Sequence, residues 1–236
     1  MLVRRYLNNT YLNIVSRSIK GHQKKIWSVK WSKRDPRIFA SASDDASVRI
    51  WSSVSQQPPL VVTLQSSACD VDFSPADAYT ISVACADRNM YLYDLRNPRE
   101  PIKTFKGHSR TVSGARFMSE DELMTSSIDG QILLWNKENE ELVGTFKGHK
   151  NEKNFIGLAC NGDFIAAGSE DDTVYIYHKA IQKPLASFQF EDQERILDGP
   201  TVGSSAGFVS AIAWKKDSSV LLAANSWGAI SVLQIE

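Results

Sequence analysis

Apolar positions along this chain come in short runs that either alternate with polar ones or stay apolar throughout. IWSVKW (26–31) alternates, whereas RIFASAS (37–43), YTISVAC (79–85), ELMTSS (122–127) and FIAAGS (164–169) set small and branched residues side by side. Turns rich in Ser, Asp, Asn and Gly separate the runs. A two-residue period predicts half-buried strands, and short continuous runs bounded by turns predict strands buried on both faces. No stripe with a 3.6-residue period is long enough to predict a substantial helix. The chain is expected to be all-β.

The strands recur as a set. Asp45, Asp87, Asp129 and Asp171 are spaced 42 residues apart (87 − 45, 129 − 87, 171 − 129), and six residues beyond each stands Trp51, Tyr93, Trp135 or Tyr177. Gly21-His22, Gly107-His108 and Gly148-His149 precede three of the units. Each unit reads as four short strands, the signature of a propeller blade. A fifth unit, FVSAIAW, SVLLAAN and AISVLQI, reads as three strands with Trp227 at the aspartate position. It arrives late, after a polar stretch at about 191–207 that reads as a long surface loop.

These motifs resemble the WD40 family over roughly residues 19–236. The resemblance implies a β-propeller of five recognisable four-stranded blades. It also implies that His, a hydroxyl, Asp and Trp form a buried hydrogen-bonded chain within a blade. The full set occurs as His22, Ser41, Asp45, Trp51 and as His108, Thr125, Asp129, Trp135. The second blade lacks the His and has Val83 at the hydroxyl position; the fourth has Ala167 there. Incomplete chains predict looser blades, because buried polar groups need partners. WD40 rings usually have seven blades. The expectation is five blades of a truncated seven-blade ring, or else a five-blade ring closed by a strand over Tyr11–Ser18 pairing with the last three strands.

A narrower resemblance runs from about His22 to the C-terminus. GHQKKIWSVKWS, CADRNMYLYDLRNPREP, FKGHKNEKNFIGLACNGDFIAAGSEDDTVYIYHKAIQKP and AANSWGAISVL are similar to the C-terminal propeller of the constitutively photomorphogenic RING ubiquitin ligases and their phytochrome-A-suppressor partners. That resemblance implies a receptor for extended Val-Pro peptides with acidic neighbours, bound across the top of the ring. Carried over residue by residue, it gives Lys25, Trp27, Cys69, Arg88, Arg110, Glu152 and Phe155 as peptide-binding positions. Lys25 stands where Arg is usual, Arg110 where Lys is usual, and Arg88 replaces a His. Aromatics suit the apolar Val-Pro pair and cations suit acidic flanks. LYDLR (92–96) resembles the box by which propellers dock onto the adaptor of cullin-4 ubiquitin ligases, with Asp94 and Arg96 as the contacts.

Composition narrows the classes. The 236 residues carry 27 basic and 27 acidic side chains, and 42% are hydrophobic, an ordinary globular balance without the basic excess of a nucleic-acid binder. No apolar run reaches the roughly 18 residues of a spanning helix. Three cysteines without CxxC spacing predict neither a disulfide framework nor a zinc site, and point to a reducing compartment, nucleus or cytoplasm. Residues 1–20, basic and without an acid, are expected to form a lead-in with one strand, Tyr11–Ser18, before the blades at 21–236. No nucleophile elbow, phosphate loop or metal cluster appears. The His22–Ser41–Asp45 set recurs with the blade period, which marks it as structural. The expected function is a non-catalytic substrate-recognition module of a ubiquitin ligase, without cofactor, nucleic acid or membrane partner. The alternative is a scaffold or regulator of a ligase complex that delivers no substrate.

Overall fold

The computed structural model describes residues 2–7, 10–15, 19–55, 59–190, 207–215 and 218–235. All of its regular elements are strands. The first blade contains β3 (Ile26–Trp31), β4 (Ile38–Ser43), β5 (Ser47–Ser52) and β6 (Leu60–Thr63). The second contains β7 (Ala68–Phe73), β8 (Thr80–Cys85), β9 (Asn89–Asp94) and β10 (Lys103–Lys106). The third contains β11 (Val112–Phe117), β12 (Glu122–Ser127), β13 (Gln131–Asn136) and β14 (Leu142–Phe146). The fourth contains β15 (Leu158–Asn161), β16 (Phe164–Ala167), β17 (Thr173–His178) and β18 (Ile181–Gln189). Each is an antiparallel meander in sequence order, and together the blades form a β-propeller.

The fifth blade, β19 (Val209–Trp214), β20 (Val220–Asn225) and β21 (Ile230–Gln234), has three strands among the described residues, as its three apolar runs predict. The long stretch expected as a loop falls almost wholly on 191–206, outside the described residues. The lead-in departs from expectation. It forms a two-stranded hairpin, β1 (Leu2–Leu7) with β2 (Thr10–Val15), rather than a single strand at Tyr11–Ser18. β2 therefore pairs with β1 and not with the last three strands, so it does not supply the closing strand of a five-blade ring.

Each contact between consecutive blades has its own core. Val48, Ile50 and Val62 of the first blade pack on Val71, Phe73 and Ile81 of the second. Phe105 and Leu92 meet Trp135, Leu123 and Phe117 across the next contact. Met124, Ile132 and Phe146 meet Ile165 and Tyr177, and Val174 and Ile176 meet Leu221 and Ala223. Strands buried on both faces, such as β7 and β8, supply the continuous apolar runs seen in the sequence. Among the described residues, the outer faces of the first and fifth blades expose apolar side chains: Val29 and Trp31 are 54% and 56% exposed, and Ile230 and Val232 72% and 70%.

Blades one and three close with the predicted polar chain. Trp51 Nε1–H donates to Ser41 Oγ (2.8 Å), Ser41 lies 2.6 Å from His22 Nε2, and His22 Nδ1 lies 2.9 Å from Asp45. Trp135, Thr125, His108 and Asp129 repeat it at 3.0, 2.8 and 3.0 Å. The Gly before each His has a steric role: a Cβ on Gly21 or Gly107 would come within 2.4 or 2.7 Å of the Trp51 or Trp135 ring. Blades two and four are less open than the sequence suggests. Their aspartates turn to a tyrosine four residues on, Tyr91 Oη–H donating to Asp87 (2.6 Å) and Tyr175 Oη–H to Asp171 (3.0 Å).

Candidate functional site

One edge of the propeller is built the same way in each of the first four blades. The residue before the repeat aspartate donates its backbone N–H to a carbonyl near the entry of the inner strand: Asp44 to Lys25, Ala86 to Ser67, Ile128 to Thr111, Glu170 to Lys150. This brings the inner-strand entry and the turn after the second strand to one edge, and the seven predicted peptide-binding positions stand at or next to these features. The inner strands β3, β7 and β11 each carry a register irregularity here, between Ile26 and Ser28, Ala68 and Cys69's successor Asp70, and Val112 and Gly114. Trp27 and Cys69 are thus the bulged residues of the first two blades. A bulge re-aims a side chain away from the sheet's alternation.

Trp27 is held on three sides. Its Nε1–H donates to Asp44 Oδ1 (2.6 Å), the Lys25 ammonium lies 3.7 Å from its ring centroid, and the Phe155 ring sits 4.6 Å away at 51°. Trp27 comes from the first blade and Phe155 from the segment entering the fourth, so the pair spans the face. Trp27 is 37% exposed and Phe155 half-buried, which leaves apolar area for a ligand. The Phe155 loop is shaped by Glu170, whose Oε1 accepts from the backbone N–H of Lys153 (2.7 Å) and Asn154 (2.6 Å). Burial opposes ionisation of Glu170, but those bonds hold its pKa below the usual range.

Arg110 and Glu152 form a second group, lining one cavity between the third and fourth blades; Arg110 Nη1 donates to the Ile128 carbonyl (3.0 Å). Cys69 lies beneath the face, 4% exposed, in the core cluster on which Phe155 packs. Burial pushes its thiol up to about 12, so it remains an unreactive packing group. Arg88 is exposed on the turn between β8 and β9, with φ 78°; no hydrogen bond or ion pair joins its side chain to either group among the described residues. Asp94 and Arg96 stand at the far end of β9, on the opposite side of the blade from Arg88. They form a two-toothed ion pair on each other (Nε–Oδ1 2.9 Å, Nη2–Oδ2 2.6 Å), with the guanidinium 5.1 Å from the Tyr79 ring.

Sequence reasoning passed over Asp44 and Glu170, which fix the two aromatics. The signal was present: the residue before the repeat aspartate is acidic in blades one and four, and Ala86 or Ile128 in blades two and three.

The family model for the WD domain, G-beta repeat, matches residues 14–52, 99–136 and 140–178. The chain is 38% identical over 212 residues to the E3 ubiquitin-protein ligase COP1 of Arabidopsis thaliana, covering 90% of this chain and 31% of that protein. It is 38% identical over 224 residues to Protein SPA1-RELATED 3 of the same plant, covering 92% and 26%. WD repeat-containing protein RUP2, also from Arabidopsis thaliana, is 33% identical over 223 residues, covering 89% and 59%. The chain thus spans about a third or less of the first two relatives.

Proposed function

The chain is a WD40-repeat protein, and from that premise we propose that it is the substrate-recognition module of a ubiquitin ligase, binding Val-Pro peptides on the face that carries Trp27 and Phe155. The observation that supports this reading most is the Trp27–Phe155 pair, assembled from two blades 128 positions apart (155 − 27) and left partly open. A proline ring and a branched valine fit against such a pair, and neither needs a hydrogen bond from it. Lys25 and Arg110 supply positive charge for acidic residues beside the Val-Pro step. Asp94 and Arg96, on the opposite side, are the candidate contact for a cullin-4 adaptor, so adaptor and peptide do not compete.

The test is titration of a labelled acidic Val-Pro peptide against the same peptide with Ala-Ala in that place. Binding of the first at least tenfold tighter than the second supports the receptor. Equal binding of both by the folded chain overturns it and favours the scaffold reading.

A further inference from the structure

The residue before the repeat aspartate keeps one backbone setting and changes its side chain. In blades one and four its N–H donates to the inner-strand entry, from Asp44 to the Lys25 carbonyl (2.9 Å) and from Glu170 to the Lys150 carbonyl (2.8 Å). Those two blades carry an acid here, whereas Ala86 and Ile128 hold the place in blades two and three. The acid-bearing blades are also the two that bring an aromatic to the face, Trp27 and Phe155.

Each acid reaches the segment that carries its aromatic. Asp44 Oδ1 accepts from Trp27 Nε1–H (2.6 Å), a charge-assisted bond and the one hydrogen bond of the Asp44 side chain among the described residues. The indole has need of it. Trp27 stands on a bulge between Ile26 and Ser28, off the sheet's alternation, and remains 37% exposed. Lys25 and Phe155 lie against the ring, 3.7 and 4.6 Å from its centroid, while Asp44 holds its N–H edge. Glu170 works through the backbone instead. Its Oε1 accepts from the N–H groups of Lys153 (2.7 Å) and Asn154 (2.6 Å) and from Asn154 Nδ2 (3.2 Å), on the two residues just before Phe155. One repeat position thus sets both halves of the ring contact. A side chain ordered before a ligand arrives loses less freedom when the ligand binds.

We propose that Asp44 and Glu170 are positioning residues that hold Trp27 and Phe155 preformed for the peptide, and that what they supply is a hydrogen-bond acceptor rather than a negative charge; the peptide part rests on the function proposed above. Ala86 and Ile128 offer no side-chain acceptor, and their blades contribute Cys69, Arg88 and Arg110 to the predicted positions, with no aromatic among them. Negative charge does nothing to attract an acidic peptide, so the neutral acceptors Asn and Gln serve as well at these two positions.

The test uses the full chain, isotopically labelled, with the Trp27 Nε1–H signal in NMR assigned by its loss in Trp27→Phe. Asp44→Ala is expected to move that signal upfield and speed its exchange with water, while Asp44→Asn keeps both close to wild type. Glu170→Ala is expected to speed exchange of the Lys153 and Asn154 amides by about tenfold, and Glu170→Gln to leave it unchanged. Titration with a labelled acidic Val-Pro peptide gives the second readout. Each alanine variant is expected to lose about tenfold in affinity, and the Asn and Gln variants to bind at least as tightly as wild type. In a Trp27→Phe background Asp44→Ala is expected to cost nothing more, because no N–H remains to be held; a general weakening of the turn would still cost affinity there. An indole signal indifferent to Asp44→Ala, equal losses for Asn and Ala, or an undiminished loss in the Trp27→Phe background overturns the proposal. If Glu170→Ala does not fold, Glu170→Gln and the Asp44 series decide it. If wild type binds no Val-Pro peptide, the receptor reading fails, and the indole and amide signals alone decide whether the two acids position the aromatics.

Discussion

At the residue scale, the aspartates of the repeat are worth different amounts because they face different partners. Asp129 accepts from His108 and from the backbone N–H groups of Ser109 and Gln131, so Asp129→Ala strands several donors. A loss of about 2–3 kcal/mol is expected in denaturant melts. Asp87→Ala strands chiefly the Tyr91 hydroxyl and is expected to cost about 1 kcal/mol, with most of it recovered by adding Tyr91→Phe. Equal losses at both positions would contradict this. His149 gives a pH signature. Burial holds its pKa down at about 4, although Asp129 and Asp171 pull the other way. Its ordinary value is 6.5, so the unfolded chain takes up the proton first as pH falls. Stability is therefore intact above about pH 6.5 and declines toward pH 4, by on the order of 2–3 kcal/mol. His149→Gln is expected to flatten melting temperature against pH in that window. An unchanged slope would show that the ring is not buried neutral. The complete polar chains of blades one and three were legible because all four residue types stand in register. Tyr91 and Tyr175 were not, because a tyrosine four residues past an aspartate on a strand reads first as a packing residue.

At the element scale, the tight turn between the second and third strands recurs with one strained position. Ala46, Arg88, Gly130 and Asp172 adopt φ 59°, 78°, 74° and 59°, and only Gly130 does so without steric cost. Arg88→Gly is expected to stabilise the chain by up to about 1 kcal/mol while weakening an acidic Val-Pro peptide, since it removes a cation. Loss of stability would mean that the Arg88 side chain has a structural contact. The strands themselves were readable from short apolar runs and turn residues. The bulges were not, although they aim Trp27 off the sheet: an inserted residue leaves no mark in an apolar run. The lead-in hairpin was not legible because LVRRYL interrupts its apolar positions with two arginines.

At the scale of the whole molecule, the described residues bury four contacts between consecutive blades and leave an apolar face exposed on the first and fifth blades. Val29 and Trp31 at one end, and Leu222, Ile230 and Val232 at the other, expose more apolar area than scattered surface residues do. Trp31→Ser with Val232→Thr is expected to reduce self-association in sedimentation velocity without changing peptide affinity; an unchanged association constant would show that the end faces are not the adhesive surface. The peptide face was legible only through resemblance, because Lys25, Trp27, Arg110 and Phe155 are scattered in sequence and converge only when blades stack. Its electrostatics add a prediction: Arg110→Glu should weaken an acidic peptide, more at low salt than at high. The claim on which the account rests is that Trp27 and Phe155 act as one anchor across the face. A double-mutant cycle tests it, with peptide affinity measured for wild type, Trp27→Ala, Phe155→Ala and the double variant. The account predicts a loss of about 2 kcal/mol, roughly thirtyfold, for each single change, and a double variant little worse than either. Additive losses, or an affinity indifferent to Trp27→Ala in a folded chain, would contradict it.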